Sequence, residues 1–174
     1  RSSLVAAARP RLVGCAGVMP DPGGEDGRAE ATEGDPRASA IRRDAALPAA
    51  SDPVLGRAAA AVGEIAVPLR APGFGTLVWI ILGQQVSIEA AAAMFRRLEA
   101  TVGAVTPERL LGLEAAALRR CGFTRQKAGY ATDLARALLT GEFSLQAIDT
   151  LPDAAALALL GSRRGIGVWT AENY

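Results

Sequence analysis

From Ser51 to Tyr174 every apolar run is cut short by a residue that ends helices. V-L-G-R-A-A-A-A-V-G-E-I, F-G-T-L-V-W-I-I-L-G, I-E-A-A-A-A-M-F-R-R-L-E-A and A-A-A-L-A-L-L are each bounded by Gly, Pro or a capping hydroxyl or carboxylate. The runs are rich in Ala and Leu, which favour helix, and poor in the β-branched and aromatic residues that favour strand. None alternates apolar and polar residues with period two. A chain punctuated in this way folds as a compact, all-α array of short helices joined by short turns.

The individual helices can be placed from their ends. Ser51 or Asp52 caps a helix with Pro53 in its first turn, and Pro68 with Pro72-Gly73 closes that region. Residues from about Phe74 to Gln85 are apolar nearly all round, which predicts a central, buried helix. Ser87 caps the next one, where Ile88, Ala91, Phe95 and Leu98 form one stripe at helical spacing. Thr106-Pro107-Glu108-Arg109 opens another. Glu114 to Cys121 is a short helix ended by Gly122, and Thr124 begins a longer one ended by Gly141. Ser144 to Asp149 makes about one turn, and Pro152-Asp153 opens a helix that stops at Gly161.

Residues 1–50 read differently. P-D-P-G-G-E-D-G-R-A-E-A-T-E-G-D-P-R, Pro20 to Arg37, has no periodic apolar face and mixes Gly, Pro and charge. Such a stretch cannot bury enough surface to offset its ordering entropy, so 1–50 is expected to be disordered or linker-like.

Composition excludes several chemistries. There is no histidine, so a Ser-His-Asp triad, a Cys-His pair and His-containing metal sites are absent. Cys15 and Cys121 lack a C-x-x-C spacing, and no metal site is expected. No apolar run approaches the ~18 residues needed to span a bilayer. Formal net charge is +1, which names no partner by itself. Arginine carries almost all the positive charge, with Lys127 the one lysine.

The segment R-G-I-G-V-W-T-A-E-N-Y, Arg164 to Tyr174, holds the most specific chemistry. A helix ends near Leu160, a link runs from Gly161 to Gly167, and a second helix starts at Val168. Gly165 and Gly167 permit the positive φ of a tight reversal. The first amides of the second helix have no intrahelical partner, and the helix dipole adds partial positive charge there. With Arg163 and Arg164 alongside, the link can hold an anion such as phosphate. Taken alone, G-x-G between two helices is usually a plain turn, and two arginines are usually solvated.

Three segments in order carry a resemblance. G-I-G-V-W-T-A resembles the helix-hairpin-helix of the DNA glycosylase superfamily that bears this motif. I-L-G-Q-Q-V-S, Ile81 to Ser87, resembles a hallmark of its DNA-3-methyladenine glycosylase II family. T-R-Q-K-A-G-Y-A-T-D-L-A-R-A-L, Thr124 to Leu138, resembles that family's helix carrying K-A-x-Y. The likeness covers about Asp52 to Tyr174, so residues 51–174 read as a partial helix-hairpin-helix DNA glycosylase domain, incomplete at its C-terminus. The first fifty residues match nothing in it.

The resemblance implies base-excision repair: hydrolysis of the N-glycosidic bond of an alkylated purine of the 3-methyladenine type, flipped out of double-stranded DNA. Gly165, Gly167, Val168, Thr170 and Arg164 correspond to positions that grip the DNA backbone. Carbonyls of the link correspond to ligands of a monovalent cation, the one cofactor implied. Trp169 matches a pocket aromatic able to stack on an electron-poor base. Gln84 matches a position at the pocket mouth, and Gln85 the wedge that fills the gap left by the flipped nucleotide, although some relatives place an apolar residue there. Lys127 reads as a solvated helix lysine. The family's catalytic Asp follows the hairpin helix, which places it beyond Tyr174. Asp133, Asp149 and Asp153 precede the hairpin and do not match it, so a chain ending at Tyr174 is expected to be inactive. Relatives that also cut the strand use a lysine where Trp169 stands or on the preceding helix, here the run Ala154 to Leu160, which implies a monofunctional enzyme with water as nucleophile. A monomer in the nucleoid-associated bacterial cytoplasm, without membrane contact, is expected. Two rival readings stand beside this one: a non-catalytic DNA-binding domain that uses the hairpin as a phosphate clamp, and a helical protein-interaction module.

Overall fold

The computed structural model describes residues 36–63 and 70–174. All regular elements of these residues are helices. In chain order they are α1 (Pro36–Ser51), α2 (Pro53–Val62), α3 (Phe74–Gly83), α4 (Ile88–Val102), α5 (Pro107–Leu111), α6 (Ala115–Cys121), α7 (Arg125–Leu139), α8 (Leu145–Ile148), α9 (Asp153–Gly161) and α10 (Val168–Glu172). None is long and apolar enough to cross a membrane.

The starts follow side-chain chemistry. Asp52 accepts from the amides of Val54 and Leu55, Ser87 from Ala90, Thr106 from Arg109, Thr124 from Lys127 and Ser144 from Ala147. Each satisfies one of the amides a helix start leaves without a partner.

α3 is the centre of the fold. Phe74, Leu77, Val78, Trp79, Ile80, Ile81, Leu82 and Gly83 are all buried, and α4, α7 and α10 pack on it. This is the outcome its all-round apolar sequence predicts. The Ala91, Phe95 and Leu98 stripe of α4 faces this core. Phe95 meets Trp79 edge to face with ring centroids 5.4 Å apart, and the Arg70 guanidinium lies over both rings. Phe123, Leu134, Phe143, Leu160 and Ile166 close the cluster from the other side.

One boundary is corrected. Residues 36–50, read as linker-like with the rest of 1–50, form α1, which packs against α2. The stretch from Arg37 to Ala50 is Ala-rich with interspersed Arg, and that composition supports helix despite Pro48 inside it. The remainder of that reading, residues 1–35, lies outside the described residues.

Leu77 has no exposed surface and sits mid-helix in α3. Leu77→Ala should destabilise the fold by about 2–5 kcal/mol through lost burial and a residual cavity, read as a lower denaturant midpoint with an unchanged transition slope.

Candidate nucleic-acid interface

The link between α9 and α10 turns twice. The Arg163 amide donates to the Leu160 carbonyl, and the Ile166 amide to the Arg163 carbonyl at 3.0 Å. Ile166, between the two glycines, is buried and anchors the link to the core.

The two glycines do different work. Gly165 has φ +87°, and a Cβ there would overlap the Tyr130 ring of α7. Its lack of a side chain answers to the protein's own backbone and packing. Gly167 corrects the expectation of positive φ at both positions. Its φ is −85°, a value any residue adopts, because the reversal is completed at Gly165 and Gly167 already has the extended backbone of an N-cap. A Cβ at Gly167 would meet nothing within 4 Å.

Gly167 begins α10 without a side-chain cap. It is exposed, and so are Val168 at 72% and Trp169 at 43%. An aliphatic and an indole surface therefore stand in solvent immediately beside the uncapped helix start. Trp169 is not the core tryptophan of this fold; Trp79 is, at 3% exposure.

Gln84 joins this hairpin to the end of α3. Its Nε2 donates to the Gly165 carbonyl at 2.8 Å and to Thr170 Oγ1 at 3.0 Å. One expectation at this junction is corrected. Thr170, assigned to the DNA surface, is 3% exposed with its hydroxyl bound to Gln84, so its side chain points into the protein. The Gln84 amide group, assigned to the pocket mouth, has both its donors engaged in holding the hairpin. Gln85 is exposed at the tip of the turn after α3 and is the one described non-glycine residue with positive φ, at 59°.

Arg164 is 70% exposed along its side chain. It pairs with Asp133 of α7 at 3.2 Å and lies over the Tyr130 ring. Arg163 pairs with Glu142 at 2.8 Å and lies over Phe143. Asp133, Arg136, Glu142, Arg163 and Arg164 line a cleft of about 390 Å3 beside the link.

Lys127 departs most from its sequence reading. It is 8% exposed, and its Nζ donates to the Leu82 carbonyl at 2.7 Å. Burial lowers the pKa of its ammonium from the usual lysine value. The roles of Lys127 and Tyr130 were missed, yet their spacing held the signal. Residues three apart share a helix face, and here that face meets both the end of α3 and the hairpin.

These contacts separate the two glycines experimentally. Gly165→Ala should cost about 1–3 kcal/mol, from strain at positive φ and displacement of Tyr130. Gly167→Ala should change stability by no more than about 0.5 kcal/mol. Paired thermal melts would show the difference.

The structure is similar to DNA repair glycosylases of known structure. A DNA-3-methyladenine glycosidase from Bacillus halodurans is 32% identical, with a TM-score of 0.55 over 59% of this chain and 48% of that one. A 3-methyladenine DNA glycosylase from Schizosaccharomyces pombe, in complex with abasic DNA, is 23% identical, with a TM-score of 0.60 over 79% and 67%. An 8-oxoguanine glycosylase/lyase from Clostridium acetobutylicum, in complex with double-stranded DNA, is 18% identical, with a TM-score of 0.66 over 75% and 48%. The chain thus spans about half the length of the Bacillus protein. No curated protein matches the sequence. Residues 78–170, from the buried α3 through Gln84 and Lys127 to the hairpin, match the family model of the HhH-GPD superfamily base excision DNA repair proteins, and the chain belongs to that family.

Proposed function

We propose that this protein binds double-stranded DNA through the α9–α10 hairpin and takes part in excising alkylated purines as a monofunctional N-glycosylase. The observation that carries this reading is Gly167. Ser, Asp or Asn at a helix N-cap would stabilise α10 better than Gly, and nothing inside the protein would obstruct them. Glycine is a few tenths of a kcal/mol poorer than those caps, and in exchange its bare backbone leaves the α10 amides open to solvent. A phosphate can approach the α10 amides directly, with Trp169 exposed beside them and Gln85 on the neighbouring turn.

In this reading the amides grip the backbone next to the lesion, and Gln85 occupies the gap when the base leaves the stack. Trp169 stacks on the extruded purine, a contact of about 0.5–2 kcal/mol for a cationic, electron-poor ring. An alkylated purine with a formal positive charge is already a good leaving group, so the site needs a carboxylate to stabilise the sugar or orient water more than it needs a strong acid. Asp133 is held by Arg164 and Arg136, which makes it a poor candidate for that carboxylate. The proposal assigns the role to a residue other than Asp133, Asp149 or Asp153. A monovalent cation on the link is part of the same reading, but the fit is incomplete. The Gly165 carbonyl already accepts from Gln84, and that of Arg163 from the Ile166 amide.

Water as nucleophile is supported by the lysine inventory. Trp169 occupies the place of the lyase lysine, and the one lysine, Lys127, has its Nζ tied to a backbone carbonyl. The Bacillus relative, at 32% identity, supports the alkylpurine substrate.

Gly167→Leu should lower stability by about 1 kcal/mol through the poorer N-cap, leave the protein folded, and weaken duplex affinity by at least about tenfold, the cost of one lost cluster of charge-assisted contacts. Wild-type affinity should fall linearly in log–log form as salt rises, with a slope of about −0.9 per phosphate neutralised. Equal affinity of variant and wild type would show that the hairpin is only a turn. Borohydride reduction in the presence of a duplex with an abasic site should trap no covalent protein–DNA adduct. A stable adduct would overturn the monofunctional assignment.

A further inference from the structure

The buried lysine has a task that neither the family match nor the hairpin explains. α3 ends at Gly83, and its last carbonyls lack intrahelical partners. The Ile81 carbonyl accepts from the Gln84 amide at 3.3 Å. The Leu82 carbonyl is reached from α7, where Lys127 Nζ donates at 2.7 Å across 45 positions of sequence. Among the described residues no carboxylate pairs with this ammonium. Its counter-charge is the negative end of the α3 dipole. The next two residues are Gln84, which reaches the hairpin, and Gln85, which holds φ +59° at the exposed tip.

We propose that Lys127 is a positioning residue, whose ammonium, docked on the Leu82 carbonyl, fixes the turn from which Gln84 orients the hairpin and Gln85 addresses the DNA gap. The inference rests on the proposed function and adds one mechanical link to it. The wedge and the phosphate clamp lie on different helices, and both are referenced to α7. Tyr130, one turn after Lys127, packs on Gly165, so a single helix face sets the hairpin and the wedge turn together. A polar wedge gains little from apolar insertion, so its placement depends on a turn that is already held in position.

The test uses the full chain and a duplex bearing a tetrahydrofuran abasic analogue next to 2-aminopurine, whose fluorescence rises when its neighbour is unstacked. At saturating protein, wild type should raise the signal, and Gln85→Ala should abolish most of the rise. Lys127→Met should lower the amplitude at least threefold at saturation and, because Gln84 orients the hairpin from the same turn, should also weaken affinity for undamaged duplex. The double variant should lose no more amplitude than either single one. Lys127→Arg, which keeps the charge and a donor, should restore the amplitude. A folded Lys127→Met with wild-type amplitude would overturn the inference. Should that variant fail to fold, Lys127→Arg decides: retained amplitude supports the assignment, and lost amplitude in a folded protein overturns it. Failure of wild-type protein to bind any duplex would instead overturn the proposed function, and this inference with it.

Discussion

The Gln84 side-chain amide is the contact on which the geometry of the interface depends. Its two donors reach the Gly165 carbonyl and the Thr170 hydroxyl, so one planar group spans the link and the first turn of α10 from the end of α3. Each bond contributes only about 0.5–1.5 kcal/mol net. Their importance is positional. α10 has five residues and only Thr170 and Ala171 buried, too little apolar surface to fix its own orientation. The amide supplies that orientation by tying it to the most buried helix of the molecule. The same geometry explains why Thr170 turns inward while Val168 and Trp169 remain in solvent.

Gly165 and Gly167 look equivalent as letters and are opposites as structure. The first is required because Tyr130 occupies the space a side chain would need and because φ is positive there. The second has φ −85° and no atom within 4 Å of where a Cβ would stand, so no packing contact among the described residues demands glycine there. In the proposed function its bare N-cap backbone leaves the α10 amides open to a phosphate.

Much of this architecture was legible because it is written in local chemistry. Asp52, Ser87, Thr106, Thr124 and Ser144 cap the helices they precede, and the apolar letters of Phe74 to Gly83 are those of a buried helix. The link from Gly161 to Gly167 and the helix start at Val168 also agree with the sequence. What escaped was decided by contacts distant in sequence. Lys127 looks like a solvated lysine until Leu82, 45 residues earlier, presents a carbonyl to it. Thr170 looks like a surface residue of a DNA-binding helix until Gln84, 86 positions away, claims its hydroxyl. The φ of Gly167 depends on where the reversal is completed, one step that the G-x-G spacing leaves open. α1 was missed for a different reason: the Gly and Pro of the preceding stretch obscured an Ala-rich segment that begins at Pro36.

A formal net charge of +1 is little attraction for a polyanion, and the arrangement of arginines shows how the fold manages with it. Arg163 and Arg164 flank the link, but each already has a carboxylate partner, Glu142 and Asp133. Glu142 is 66% exposed and Asp133 42%, so these pairs sit in high dielectric and contribute about 0–1 kcal/mol each. A phosphate arriving at the link can therefore take over either guanidinium at small cost. Until it arrives, the cations are neutralised and kept in place, Arg163 over Phe143 and Arg164 over Tyr130. In the proposed function, such a surface attracts DNA weakly at long range and relies on short-range geometry at the link. On that reading, modest electrostatic attraction together with a backbone-built clamp favours release from ordinary duplex over tight non-specific retention, which suits a search for a rare altered base.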